Sequence, residues 1–281
     1  MSQVFDALRR AEGDNFMPWT RDAATCVPSP QVVREPDRHN WELDQAPQLS
    51  SPKVPERVVA LAHPDSLAAE KFRVLAMRLR TLQKRRQLKK LLITSALKGD
   101  GKSVISANLA ATLACRQKTL LIDGDLHQSG LKDVLAAEAL PGLTDWWQGS
   151  APISRFLHRV PELSLWYLPA GLAAERPLDI LQSTRLAELL AQIAGWFDWV
   201  IIDSPPLVPV ADSTVWATQV DGTLLVVRQG KTAKKLLQET LESVENLKLL
   251  GIVMNASDDT HPRYYRQYYK DSLKGGTPST A

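Results

Sequence analysis

Ser95-Ala-Leu-Lys-Gly-Asp-Gly-Lys-Ser103 has the residue types of a phosphate cradle. It meets the pattern G-x-x-x-x-G-K-[ST], with Ala96 in the first glycine position. Gly99 and Gly101 let the backbone turn its N–H groups inward around phosphate oxygens. Lys102 reaches the β- and γ-phosphates in such a loop, and the Ser103 hydroxyl ligates Mg²⁺. Lys98, Asp100 and Val104 complete the expected nucleotide-contacting stretch. Two apolar runs end in aspartate, Leu120-Leu-Ile-Asp-Gly-Asp125 and Val200-Ile-Ile-Asp-Ser-Pro-Pro206. Asp123, Asp125 and Asp203 repel one another and a triphosphate. A divalent cation removes that repulsion, and one carboxylate is then available to take the proton of an attacking hydroxyl. Tyr264, Tyr265, Tyr268 and Tyr269 are four of the five tyrosines and supply such hydroxyls close together. A phenol, with pKa near ~10, is a poor nucleophile until a base takes its proton. ATP with Mg²⁺ as the donor and tyrosine as the acceptor is the chemistry these residues fit.

These groups must be carried by elements that bring them together. Leu91–Thr94, Thr119–Asp123, Leu163–Leu168, Trp199–Asp203, Gly222–Val227 and Gly251–Asn255 read as strands. Helices are expected over 65–90, 102–115, 184–195 and 232–247. Apolar runs of this length between helices mark a parallel sheet buried on both faces. The fold class is α/β, a phosphate-loop NTPase-like three-layer sandwich with a mostly parallel twisted sheet. Residues 63–260 form this domain. Residues 1–62 read as a short helix near 2–12 and a poorly structured proline-rich arm, and 261–281 as a flexible tyrosine-rich tail. Arg78 to Lys90 holds seven basic residues and no acid, the pattern of a solvated helix end or of a face for an acidic partner or a membrane surface.

Composition bounds the function. In 281 residues, 44% hydrophobic, there is material for a substantial core. A formal charge of +3 does not describe a general nucleic-acid binder. Cys26 and Cys115 stand far apart, with neither zinc spacing nor a disulfide framework, as in a reducing cytosol. No apolar run is long enough to span a membrane, so a membrane role goes through a partner or a surface contact.

The three motifs in this order, followed by the tyrosine cluster, resemble the bacterial tyrosine kinases of capsule and exopolysaccharide production over roughly residues 62–270. The resemblance implies an ATP- and Mg²⁺-dependent protein-tyrosine kinase. It implies that Asp123 acts as the base on tyrosine, and that Asp125 and Asp203 hold Mg²⁺ with Ser103. Arg228 and Asn255 stand where similar proteins carry an arginine and an asparagine, and Asn255 either reads the adenine edge or caps its strand. Pro177-Leu-Asp-Ile-Leu181 looks like the family's segment before the next helix. Autophosphorylation of the tail between copies in a homo-oligomer is implied as well. So are a membrane-embedded polysaccharide co-polymerase as activator, a counteracting tyrosine phosphatase, and a cytoplasmic location at the inner face of the membrane. The chain departs from the family pattern at three points. His127 replaces the arginine of D-x-D-x-R, and Lys98 replaces a loop proline. Glu70 and Arg73 fit the assembly motif E-x-x-R-x-x-R, but Ala76 replaces its second arginine.

Two other classes share part of this pattern. Partitioning and division-site ATPases use similar strands, but carry a lysine where this chain has Leu97, and a tyrosine tail is foreign to them. A nucleotide-binding regulatory subunit of a polysaccharide exporter is compatible with His127 and Ala76.

Overall fold

Strands without polar alternation must be covered on both faces, and here they form the middle of one sheet. The computed structural model describes residues 43, 46–49, 55–172, 174–208, 211–243 and 247–256. The expected helix at 2–12 and the tail over 261–281 lie outside the described residues. The strands are β1 (Lys90–Ser95), β2 (Thr119–Asp123), β3 (His158–Val160), β4 (Leu165–Leu168), β5 (Trp199–Asp203), β6 (Gly222–Arg228) and β7 (Leu249–Asn255). Their order in the sheet is β3-β4-β2-β5-β1-β6-β7. All neighbours are parallel except β3 with β4.

Alternate side chains of one strand enter opposite cores, because successive Cβ atoms point to opposite faces. Leu92, Val200 and Ile202 pack with Leu189, Ile193 and Trp216. Leu91, Ile93 and Ile201 pack with Leu79, Leu109 and Leu113. The first face is covered by α7 (Thr184–Trp196) and α8 (Asp212–Gln219), and the second by α2 (Leu67–Arg85) and α3 (Lys102–Ala114). Short helices α1 (Val59–Ala62), α4 (Leu131–Leu135), α5 (Leu143–Gln148) and α6 (Pro177–Leu181) fill the connections, and α9 (Lys234–Ser243) joins β6 to β7. The three-layer sandwich read from the sequence is the fold observed.

α3 follows the phosphate loop and is buried from Ile105 to Ala114, because its small residues let it lie close to the sheet beneath α2. Asn108 on this helix donates to the Arg57 and Val104 carbonyls and accepts from the Ala60 N–H. It thereby ties residues 57–60 to the element that carries Lys102.

α2 starts where expected, with the Ser66 hydroxyl accepting from the Ala69 N–H at 3.1 Å. It stops at Arg85, short of the expected end. Leu88 must be buried to start the next layer, and Arg86 is already extended. The Gln83 amide donates to the Leu88 carbonyl at 2.9 Å and fixes the turn. The edge strand β3 was not expected: three residues carry no readable period. Its outer side is covered by residues 47–49, since Leu49 N–H donates to the Arg159 carbonyl and Arg159 N–H to the Pro47 carbonyl. Leu43, Ala46 and Leu49, which composition assigns to the arm, are buried.

The partial assembly motif sits on α2. Arg73 donates to Glu70 at 2.7 Å and to the Pro64 carbonyl at 2.8 Å, so both motif residues are engaged within the chain. Ala76 is fully buried. Restoring the arginine would drive a guanidinium into that packing. Ala76→Arg should cost about 2–3 kcal/mol, read from the midpoint of urea unfolding. An unchanged midpoint would show that position 76 has room for a long side chain.

Candidate active site

The carboxyl ends of the parallel strands converge on one edge of the sheet, where open α/β folds bind ligands. The loop after β1 occupies the centre of this edge. Gly99 and Gly101 have φ of +86° and +95°, a region that L side chains rarely adopt. A Cβ on Gly101 would stand 2.1 Å from Asn255 Nδ2, so this glycine also makes room for a brace.

Several residues hold the loop from its β6–β7 side. Asn255 Nδ2 donates to the Asp100 carbonyl at 2.8 Å. Lys231 Nζ donates to the Lys98 carbonyl at 2.9 Å, and Arg228 to the Gly99 carbonyl at 3.4 Å. The Asp100 side chain is fully buried, accepting from the Leu97 N–H and from the Thr232 hydroxyl. Arg228 and Asn255 are thus brought to the loop, as neighbours in register across β6 and β7. In this arrangement both side chains clasp loop carbonyls.

The other side carries the carboxylates. Asp123 and Asp203 are paired in register at the ends of β2 and β5, and both are fully buried. Gly124 permits the close approach: its N–H donates to the Asp203 carbonyl at 2.7 Å, and a Cβ there would meet Asp203, Ile202 and Trp216 at about 3 Å. Burial and the neighbouring Asp203 charge push Asp123 up to about 7. The Ser129 hydroxyl and the Asp125 N–H, which both donate to Asp123, oppose that rise. Tyr167, also buried, lies with its hydroxyl 3.5 Å from the same carboxylate. Burial first, and then Asp123, push its phenol well above its ordinary value.

Asp203 is raised by burial, against the pull of Lys102, Ser103 and Ser106. Ser106 donates to its Oδ1 at 2.9 Å. Its Oδ2 is buried without a hydrogen-bond partner, even though Ser103 is near enough to favour the charged form. Lys102 Nζ is 3.5 Å from Asp125 Oδ2 and 3.5 Å from the Ser103 hydroxyl. Asp125 Oδ1 accepts from the Gln128 N–H.

Ser103, Asp125 and Asp203 offer hard oxygen donors, the set that Mg²⁺ takes alongside phosphate oxygens and water. The unsatisfied Asp203 Oδ2 fits such an ion or its water. Among the described residues no cluster of three or more His, Cys, Asp or Glu forms a protein cage.

A cavity of about 1100 Å³ opens beside the loop. Lys98, Gly99, Gly101, Lys102, Ser103, Val104 and Asp125 line it, together with residues of α4 and α6 and with Pro205, Pro206, Val208, Ala211 and Asp212. Lys98, in the place of a proline, reaches across to the Gln128 side chain. His127 Nε2 lies 3.0 Å from Asp212 Oδ2, off the line of a hydrogen bond. Asp123 does not line the cavity, but Ser129, which touches it, does. Ser129, Tyr167, Asp212, Lys231 and Thr232 carry no motif that sequence reading could have singled out. The tyrosines at 264, 265, 268 and 269 lie outside the described residues.

No protein-family model matches the chain. Tyrosine-protein kinase YwqD of Bacillus subtilis strain 168 is 32% identical over 225 residues, which cover 79% of this chain and 95% of that protein. The succinoglycan biosynthesis transport protein ExoP of Rhizobium meliloti strain 1021 is 34% identical over 201 residues, 69% of this chain. The match takes in 26% of ExoP, so this chain corresponds to a minor part of that relative. Among solved structures, the chimerical protein CapA2B2 superposes with a TM-score of 0.68 at 26% identity, covering 78% of this chain and 97% of that one. The kinase domain of Escherichia coli tyrosine kinase ETK gives 0.67 at 24%, covering 80% and 94%. The septum site-determining protein MinD of Pyrococcus horikoshii OT3, complexed with Mg-ADP, gives 0.51 at 21%, covering 65% and 77%. The last two show a common phosphate-loop fold. YwqD, similar over nearly its whole length, decides the family: the chain belongs to the bacterial tyrosine-protein kinases.

Proposed function

We propose that this chain transfers the γ-phosphoryl group of ATP to tyrosine, its own C-terminal tyrosines in another copy first, and that this controls capsule or exopolysaccharide synthesis and export. One observation carries the reading. Lys102 and Asp125 line a cavity with space for an acceptor larger than water, and the paired carboxylates of Asp123 and Asp203 lie buried behind it, Asp123 in contact with Ser129 of the cavity wall. The kinase relatives support the chemistry, and the transport protein ExoP supports the polysaccharide setting. A membrane-embedded polysaccharide co-polymerase as activator and a counteracting phosphatase belong to the same reading. ATP as donor puts the work on the cytoplasmic side, with recruitment to the membrane through the partner.

The phenolic oxygen attacks the γ-phosphorus, the bond from that phosphorus to the β–γ bridging oxygen breaks, and ADP leaves. The phenolic proton goes to Asp123, past the Ser129 hydroxyl that separates it from the cavity. Lys102 and the loop N–H groups stabilise charge on the phosphate oxygens. Mg²⁺, when held by Ser103, Asp125 and Asp203, neutralises the phosphates further. Positioning and charge stabilisation supply the acceleration.

Incubation of the full chain with γ-labelled ATP and Mg²⁺ tests this. Label should appear on Tyr264, Tyr265, Tyr268 and Tyr269, mapped by mass spectrometry. Lys102→Met should lower it by at least about 100-fold with the fold retained. Replacing the four tyrosines with phenylalanine should remove most label and leave ATP binding intact. Free phosphate with no labelled tyrosine would replace this reading with that of an ATPase.

Asp123 also sets the sign of a pH effect. Its carboxyl is held at about 7 in the folded chain, above its ordinary 3.8. Between these values the folded chain keeps a proton that the unfolded chain has released, so stability falls as pH rises through the window. Asp123→Asn removes that loss. In nucleotide-free protein the variant should be more stable than the parent by on the order of 1–3 kcal/mol at pH 8, with the gap closing towards pH 4. A gap that is constant with pH in urea unfolding would contradict a strained buried carboxyl.

A further inference from the structure

We propose that the Arg57 guanidinium binds the phosphate chain of the nucleotide, so that the segment preceding the sandwich supplies a residue of the site. The inference rests on the ATP-binding part of the kinase reading and adds a cation that no motif of the chain announces.

Arg57 belongs to a stretch that composition assigns to the arm, yet it lines the same cavity as Lys102, Ser103 and Val104. Its neighbours fix its place. The Val58 N–H donates to the Pro55 carbonyl at 2.9 Å and closes a turn with Arg57 at its third position. Val58 is 1% exposed and anchors that turn in the core shared with Leu79 and Leu109. Asn108 on α3 is fully buried, and its whole side chain serves the same end. Its Nδ2 donates to the Arg57 and Val104 carbonyls, both at 2.9 Å, and its Oδ1 accepts from the Ala60 N–H at 3.1 Å. One amide group thus ties the Arg57 backbone to the first turn of α3. That turn, which begins at Lys102, carries the N–H groups that a helix leaves unpaired, and these are what a phosphate meets.

The Arg57 side chain is exposed and makes neither an ion pair nor a hydrogen bond among the described residues. The other guanidinium lining the cavity, Arg176, is paired with Asp179 at 2.9 Å. His127, in the place of an arginine, lies against Asp212. Arg57 is therefore the guanidinium of this cavity left for a ligand. A planar fork of donors matches phosphate oxygens two at a time, which makes arginine well suited to that ligand.

Isothermal titration calorimetry of ATP with Mg²⁺ into the full chain tests the assignment. Arg57→Ala should weaken ATP binding by about tenfold. Arg57→Lys keeps the charge but loses the fork, and should recover only part of that loss. Neither should shift the urea midpoint of the nucleotide-free protein, since the tie to Asn108 runs through the Arg57 backbone carbonyl. Asn108→Ala should weaken ATP binding in the parent chain but add little once Arg57 is alanine. Losses that add in full would overturn the tie as the means of positioning. Equal ATP affinity of Arg57→Ala and a parent that labels tyrosine overturns the inference and leaves the kinase reading standing. An affinity that depends on Arg57 in a chain that labels no tyrosine sinks the kinase reading and leaves Arg57 at the phosphates.

Discussion

Two buried carboxylates side by side are the constraint to which the rest of the site responds. Asp123 and Asp203 close adjacent strands in register, and neither is exposed. At the spacing of neighbouring strands, two unit charges repel by about 3 kcal/mol even with an effective dielectric constant of 20. A core built for stability alone would not keep such a pair. The local hydrogen bonds divide the two groups. Lys102, Ser103 and Ser106 favour the charged form of Asp203, whereas Asp123 has Ser129 and one backbone N–H but no cation close enough to count. The result is one carboxylate inclined to face a cation and another inclined to hold a proton. Phosphoryl transfer to a hydroxyl needs that division of labour.

The opposite side of the loop is rigid for a related reason. Backbone N–H groups stabilise developing charge best when they need not reorganise. Asn255, Lys231, Arg228 and Thr232 clasp the loop from the ends of β6 and β7 and the turn between β6 and α9. Gly101 is what lets Asn255 approach so closely. The resemblance to known kinases left Asn255 between reading adenine and capping its strand. In the structure its amide is engaged with the Asp100 carbonyl and its own oxygen accepts from the Ala256 N–H. Bracing the cradle is therefore the role its contacts describe.

The sequence made the local chemistry readable and left the long-range geometry hidden. β2 and β5 run over the residues expected, because an unbroken apolar run ending in aspartate has few other ways to be buried. The phosphate loop was legible for the same local reason: its two glycines are needed where φ is positive. That Asp123 and Asp203 would be neighbours depends on strand order, which no single segment carries. Tyr167 and Ser129 come to Asp123 from β4 and from the turn before α4, and each alone is an ordinary residue. The helix expected to reach residue 90 overshot because its basic residues are all good helix formers. The burial of Leu88 ends it earlier. Ala76 was legible only as a missing arginine, whereas its complete burial makes it part of the packing.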